Sequence, residues 1–234
     1  MSHQAPETAG LQLKEVVPWG RNIDEYTAMF ELTAEDLASS IADVGGGPAS
    51  FNAEATTRGV SVVSLDPIYA FEAAAIRQRI EETKETIVEG CRRNAALFHW
   101  DVIPDPEALA RVRLAAMDDF LADFEAGRAA GRYVRASLPR LPLRDGAVDL
   151  ALCSHLLFLY SDQLGPDFHV ASAAELLRVA REVRIYPLLT LAGVRSPLVG
   201  LVEAEARRLG ASAKVQPVRY RFQRGAEEML VLRR

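Results

Sequence analysis

Apolar and polar positions along the chain change their spacing repeatedly, and each change marks an element. Ile23, Tyr26, Met29 and Phe30 recur at helical spacing, which predicts an amphipathic helix over about 23–32. Thr33 followed by Asp36 is an N-cap arrangement for a second, short helix. The apolar run SIADV (40–44) then reads as a strand and leads straight into Gly45-Gly46-Gly47. A short helix over 50–58 stops at Gly59, and VSVVSLD (60–66) reads as a second strand. Together these make a β-α-β unit.

Residues 67–131 break that rhythm. They are rich in Ala, Glu and Arg and predict two long helices, about 69–93 and about 106–125. The second opens with Asp105 as N-cap and Pro106 at the first helical position, where the missing N–H costs nothing. Phe98-His99-Trp100 lies between them. No linker composition brackets the block, so it reads as a helical insertion within a single domain spanning 1–234. Residues 1–40 form an N-terminal tail followed by helices, the tail proper being the polar stretch 1–15.

The β/α alternation then resumes. RYVRA (132–136) and VDLALC (148–153) read as strands either side of a loop containing Pro139, Pro142 and Asp145-Gly146. A helix-rich segment runs to about Ala180, and EVRIYPLL (182–189) is the next strand. Ser196-Pro197 opens a helix that closes at Gly210. The chain finishes with KVQPVRYRF (214–222), the turn Gln223-Arg224-Gly225 and EEMLVL (227–232), with Val218, Tyr220 and Phe222 alternating onto one face. The predicted class is α/β: a doubly wound, mostly parallel, seven-stranded sheet with a C-terminal antiparallel hairpin and a helical insertion between strands two and three.

Composition narrows the class of partner. The chain is 49% hydrophobic with a mean hydropathy of +0.01, which supports a sizeable core. Its net charge of −5 argues against a nucleic-acid partner, because phosphate neutralisation supplies most of such affinity. Arg77, Arg79, Arg92, Arg93, Arg207 and Arg208 sit in helical stretches and read as solvated faces. The two cysteines, Cys91 and Cys153, show no metal-ligand spacing, and no metal is expected. No apolar run reaches the roughly 18 residues of a membrane span, and MSHQAPETAG lacks the pattern of a secretory signal. A cytoplasmic protein with a small-molecule substrate and no membrane partner is expected; the insertion offers either a cover for the site or a surface for a homodimer.

The candidate chemistry centres on Asp43-Val44-Gly45-Gly46-Gly47-Pro48-Ala49. A glycine turn after a first strand lets a ligand approach the backbone where a Cβ would collide. Asp43, two residues before the turn, can accept from a cationic amino group, and would sit awkwardly beside a pyrophosphate. Asp66 ends the next strand about 20 residues on, where a carboxylate can take both ribose hydroxyls.

This combination, with the terminal hairpin, resembles the class I S-adenosylmethionine-dependent methyltransferases over about 41–234. The resemblance implies that Asp43, Gly45 and Gly47 meet the methionine end of the cofactor and Asp66 its ribose. Val134–Leu143 and Asp145-Gly146-Ala147-Val148-Asp149-Leu150 are similar to the family's approach to strand four, with Ser137 and Leu138 at positions that meet the adenine. Gly46, Ala49, Pro67 and Ser154 complete the implied cofactor set. Two positions depart from the family pattern: its third glycine is Ala49, and its acidic residue near the adenine is Ser137. Cys153-Ser154-His155 stands where amino-group nucleic-acid methyltransferases carry a D/N-P-P-Y/F tetrapeptide.

Methyl transfer from a sulfonium is an in-line displacement, so the protein must align the nucleophile and receive its proton. His155, just beyond the apolar strand 148–153, is the candidate base, and Tyr26, Trp100 and Tyr160 are candidate substrate contacts. Two other functions compete. An NAD-dependent oxidoreductase would want G-x-G-x-x-G, but the last position, counted from Gly45, is Ser50. The second is a non-catalytic cofactor-binding module acting through partners; the intact Asp43 and Asp66 speak against decay of the site.

Overall fold

The computed structural model describes residues 18–234, so the expected polar tail lies outside the described residues. Seven strands form one sheet in the order β3-β2-β1-β4-β5-β7-β6. They are β1 (Ser40–Val44), β2 (Ser61–Leu65), β3 (Tyr133–Val134), β4 (Val148–Ser154), β5 (Ala180–Tyr186), β6 (Ser212–Pro217) and β7 (Glu228–Arg233). β1 pairs in parallel with β2 and β4, β2 with β3, and β4 with β5. β7 runs antiparallel between β5 and β6. This is the α/β architecture read from the alternation of periods, including its terminal antiparallel hairpin.

Burial on both faces explains the continuous apolar runs in the central strands. Along β4, Leu150 and Leu152 face a layer containing Ile23, Phe30, Phe51 and Ala55. Ala151 and Cys153 face the opposite layer, with Leu176, Leu177, Val202 and Ala206. The first layer comprises α1 (Ile23–Phe30), α2 (Ala34–Leu37) and α3 (Phe51–Thr57). The two long helices α4 (Ala73–Arg93) and α5 (Pro106–Ala129) lie between β2 and β3 in the chain, and α5 packs on α3 and β3. The second layer comprises α6 (Pro166–Val179) and α7 (Val199–Arg208). No helix among the described residues is long and apolar enough to cross a membrane.

Local signals acted where they were read. Thr33 Oγ1 accepts from the Asp36 N–H at 3.1 Å while an Asp36 carboxylate oxygen accepts from the Thr33 N–H at 2.9 Å, a reciprocal cap. Asp105 caps α5 through the Ala108 N–H at 2.6 Å.

Three expectations need correction. The first long helix begins at Ala73, because the Asp66 carboxylate accepts from the Ile68 N–H and turns 67–70 into a separate 3₁₀ segment. RYVRA contributes only Tyr133 and Val134 to the sheet. The final hairpin pairs only as far as Pro217, and residues 218–227 form its connection. There, the Phe222 carbonyl accepts from the His99 N–H at 2.7 Å, so this backbone pairs with the loop between α4 and α5 instead.

Candidate functional site

The strand order reverses between β1 and β4, and in open α/β sheets the crevice beyond the strand ends at such a point takes the ligand. β1 delivers the glycine turn there. Gly45 and Gly47 adopt left-handed φ values of +76° and +56°, which side chains rarely tolerate. Gly46 is required for a different reason: a Cβ there would lie 2.1 Å from Asp43 Oδ2. At Gly47 the Cβ direction meets nothing within 4 Å, and all three glycines keep backbone at the surface. Ala49, in the position of the family's third glycine, is buried.

Two side chains tie this turn to the end of β2. Asp66 Oδ2 accepts from the Gly47 N–H at 3.0 Å while its Oδ1 caps the turn after β2. The Tyr69 hydroxyl donates to the Gly47 carbonyl at 2.8 Å. Asp66 and Pro67 are half-buried. Burial pushes the Asp66 carboxyl up to about 6, against the two backbone donors that favour its charged form.

Asp43 lies under the turn rather than beside it. It is 1% exposed, its Oδ1 accepts from the Tyr26 hydroxyl at 3.0 Å and its Oδ2 from the Ser64 hydroxyl at 2.9 Å. Burial raises its carboxyl to about 7, and the Asp66 charge adds to the rise. Neither Asp43 nor Asp66 has a cationic partner among the described side chains. The residues therefore fit a ligand that brings a positive charge to the turn and hydroxyls to the end of β2.

At the position expected to meet an adenine, Ser137 is exposed in a tight turn whose Arg140 N–H donates to its carbonyl at 3.1 Å. The side chain of Leu138 is 5% exposed and packs with Leu65, Leu141 and Leu177 in the core. Only its backbone remains for a ligand.

Beyond β4, Ser154 is buried and His155 half-buried with a left-handed φ of 51°. His155 Nδ1 lies 3.0 Å from Ser154 Oγ, its N–H donates to the Tyr186 carbonyl at 2.7 Å, and its ring stands edge-on to Tyr186. No helix starts there, so His155 is not a helix cap. Burial, with Arg21 and Arg113 nearby, holds its imidazole well below the usual range and leaves it neutral at pH 7.

The three proposed substrate contacts have separate placements. Tyr26 is corrected: it is 1% exposed, stacked on Phe51 at 4.2 Å, and serves Asp43, so it lines no open pocket. Trp100 is half-buried, its ring 6.0 Å from Phe222 and its indole N–H donating to the Ala95 carbonyl at 2.9 Å. Tyr160 is 39% exposed on the segment after β4.

Several residues of this region were not singled out by sequence reasoning. Arg113 of α5 is 1% exposed, paired with Glu25, and bonded to the Gly20 carbonyl at 3.2 Å and the Tyr220 hydroxyl at 3.3 Å. Tyr220 donates to Glu25 Oε1 at 2.7 Å. The Arg113 guanidinium lies 5.4 Å from the Trp19 ring and 5.9 Å from Phe222. An arginine in a helix rich in charge carries no signal of burial; only Arg113's position on the apolar stripe of Leu109, Ala116, Met117 and Phe120 marks it. Among the described residues, no group of three or more His, Cys, Asp or Glu side chains could hold a metal.

No protein-family model matches the chain. It is 30% identical over 227 residues to the uncharacterized protein MJ0045 of Methanocaldococcus jannaschii, covering 96% of this chain and 99% of that one. Among solved structures, similarity extends to an S-adenosylmethionine-dependent methyltransferase of Methanosarcina mazei at 11% identity and a TM-score of 0.45, covering 84% of this chain and 92% of the other. It extends also to a candidate RNA methyltransferase of Pyrococcus horikoshii at 11% identity and a TM-score of 0.42, covering 90% and 79%. A third is the O-methyltransferase NcsB1 of neocarzinostatin biosynthesis, crystallised with S-adenosylhomocysteine and a dihydroxynaphthoic acid, at 12% identity and a TM-score of 0.41, covering 89% and 53%.

Proposed function

This chain and the Methanocaldococcus jannaschii protein belong to one family, and we propose that this member is an S-adenosylmethionine-dependent methyltransferase acting on a small molecule. The observation that carries the reading is the closed constellation at the switch point. Gly47 is held by Asp66 from the end of β2, and Asp43 stands without a cation beneath the same turn. A dinucleotide would instead bring its pyrophosphate to the glycine turn above Asp43, whose carboxylate repels it.

Within this reading, Asp66 takes the ribose hydroxyls, the exposed backbone of Gly45–Gly47 takes the methionine end, and Asp43 supplies negative charge from below. Pro67, Ser137 and the Leu138 backbone lie toward the adenine, and Ser154 toward the reacting end. S-adenosylmethionine, when bound, supplies an electrophilic methyl whose bonding pair to sulfur leaves with the sulfur. His155 is neutral and able to take the proton released as the acceptor atom bonds to that methyl, so atoms and charge balance. The 67–131 block acts as a cover: α5 sends Arg113 toward the segment 19–25, and the loop with Trp100 is held against Phe222.

Calorimetry with S-adenosylhomocysteine and with NAD tests the assignment directly. Binding of the former and not the latter is the expected result; the reverse ends the methyltransferase reading. Release of S-adenosylhomocysteine in the presence of small metabolites then distinguishes an enzyme from a binding module.

A further inference from the structure

The segment leading into α1 carries a cation that no described residue balances. Arg21 is half-buried, and its Nε is sealed from solvent without a hydrogen-bond partner. Its guanidinium makes no ion pair with any described residue. Glu25, the carboxylate that acts on it, is already engaged by Arg113, by the Tyr220 hydroxyl and by the Asn22 N–H, and Glu54, close to the same segment, is engaged by the Ser50 hydroxyl and the Ile23 N–H. Arg113 stands near enough to repel it: burial first, and then Arg113, lower the Arg21 pKa. Arg113 holds Glu25 and Arg21 pairs with no described carboxylate, which leaves one positive charge over in a half-buried site. Such a charge is costly unless it has a partner.

The surroundings say where that partner would sit. Arg21 acts electrostatically on Tyr26 from α1, His155 from the end of β4, Tyr186 from the end of β5 and Tyr220 from the β6–β7 connection. It is thus within the field of the candidate base. Ser50 Oγ lies 3.5 Å from the Arg21 carbonyl, which fixes the segment against the start of α3.

We propose that Arg21 receives the anionic group of the methyl acceptor, a carboxylate or a phosphate on a small molecule, and so sets the acceptor beside His155. The proposal rests on the methyltransferase reading for the word acceptor, but the anion site stands on its own observations. A guanidinium matches either anion through two parallel N–H donors, and the site's excess of a single charge suits one such group. A small molecule is favoured over RNA because one enclosed cation, in a chain of net charge −5, offers no track for a phosphate backbone.

The test is calorimetry on the full chain, saturated with S-adenosylhomocysteine, using acetate, benzoate, inorganic phosphate and uncharged acetamide as probes. At least one anion is expected to bind and acetamide to show no heat. Arg21→Gln should weaken the anion about tenfold or more, and Arg21→Lys should recover part of that loss. S-adenosylhomocysteine affinity should stay within about twofold in both variants, since Arg21 lies outside the cofactor set. The melting temperature of Arg21→Gln should equal or exceed that of the parent, because the substitution removes an unbalanced buried cation.

Three outcomes overturn the proposal: no anion binding to the parent, equal binding to Arg21→Gln, or a large fall in melting temperature that marks Arg21 as structural. A single-stranded RNA that binds more tightly than every small anion, and loses that binding in Arg21→Gln, overturns the choice of a small acceptor. Failure of S-adenosylhomocysteine to bind the parent, with anion binding intact, strikes the methyltransferase reading alone and leaves the anion site in place.

Discussion

The carboxylate of Asp66 accepts the Gly47 N–H at 3.0 Å, so the end of the second strand is fastened to the turn that follows the first. One side chain thereby connects the proposed ribose position to the glycine turn proposed to meet the methionine end. Removing it should damage both. Asp66→Ala is expected to weaken S-adenosylhomocysteine binding by about 1.5–3 kcal/mol, the range for hydrogen bonds to a charged group. Calorimetry measures this directly, and an affinity unchanged from the parent would remove Asp66 from the ribose site.

Gly46 and Gly47 should respond differently to alanine. At Gly46 the new Cβ would lie 2.1 Å from Asp43 Oδ2, a buried atom held by Ser64, so the turn or the carboxylate must move. At Gly47 space is open and the cost is a left-handed φ alone, roughly 1–2 kcal/mol. Gly46→Ala should therefore lower both melting temperature and cofactor affinity more than Gly47→Ala does. The reverse order would mean that Asp43 does not lie beneath the turn.

The two carboxyls predict a pH dependence with a definite sign. Asp43 and Asp66 are pushed up to about 7 and about 6, above the values near 3.9 that unfolded carboxyls show. A raised carboxyl contributes stability that is present below the unfolded pKa and lost as pH rises through the folded one, here between about pH 4 and 7. Asp43→Asn removes one of these groups. Its stability relative to the parent should climb across that window, with a slope of at most about 1.4 kcal/mol per pH unit. Affinity of the parent for the sulfonium cofactor should rise over the same window, as the carboxylates gain charge. Parallel unfolding curves for parent and variant from pH 4 to 8 would contradict the burial argument.

His155→Ala should lower turnover by about 100-fold or more once an acceptor is in hand, with cofactor affinity nearly intact. A purely structural role gives another pattern: lost stability, a preserved rate and an unaltered pH profile. The acid limb of the rate profile should lie below pH 6.5, because burial and the two arginines depress the imidazole. An acid limb above that value would show that another group takes the proton.

Much of this protein was legible from local pattern. The glycine turn, the acidic residue closing the second strand, the Thr33–Asp36 and Asp105–Pro106 caps and the alternation of strand with helix all express constraints within a few residues. Backbone φ, capping and hydrophobic period act at that range, so the residues themselves specify the α/β class and the position of its ligand crevice. Contacts between distant segments are different. Arg113 and Glu25 meet across 88 positions. Phe98 pairs with Gln223, which draws the hairpin's connection away from strand geometry. Asp43 finds Tyr26 beneath the turn, and Arg21 is left with no carboxylate of its own among the described residues. Each depends on which surfaces the packed layers bring together and how much water they exclude, and a charge's partner is decided only once the whole core has closed around it.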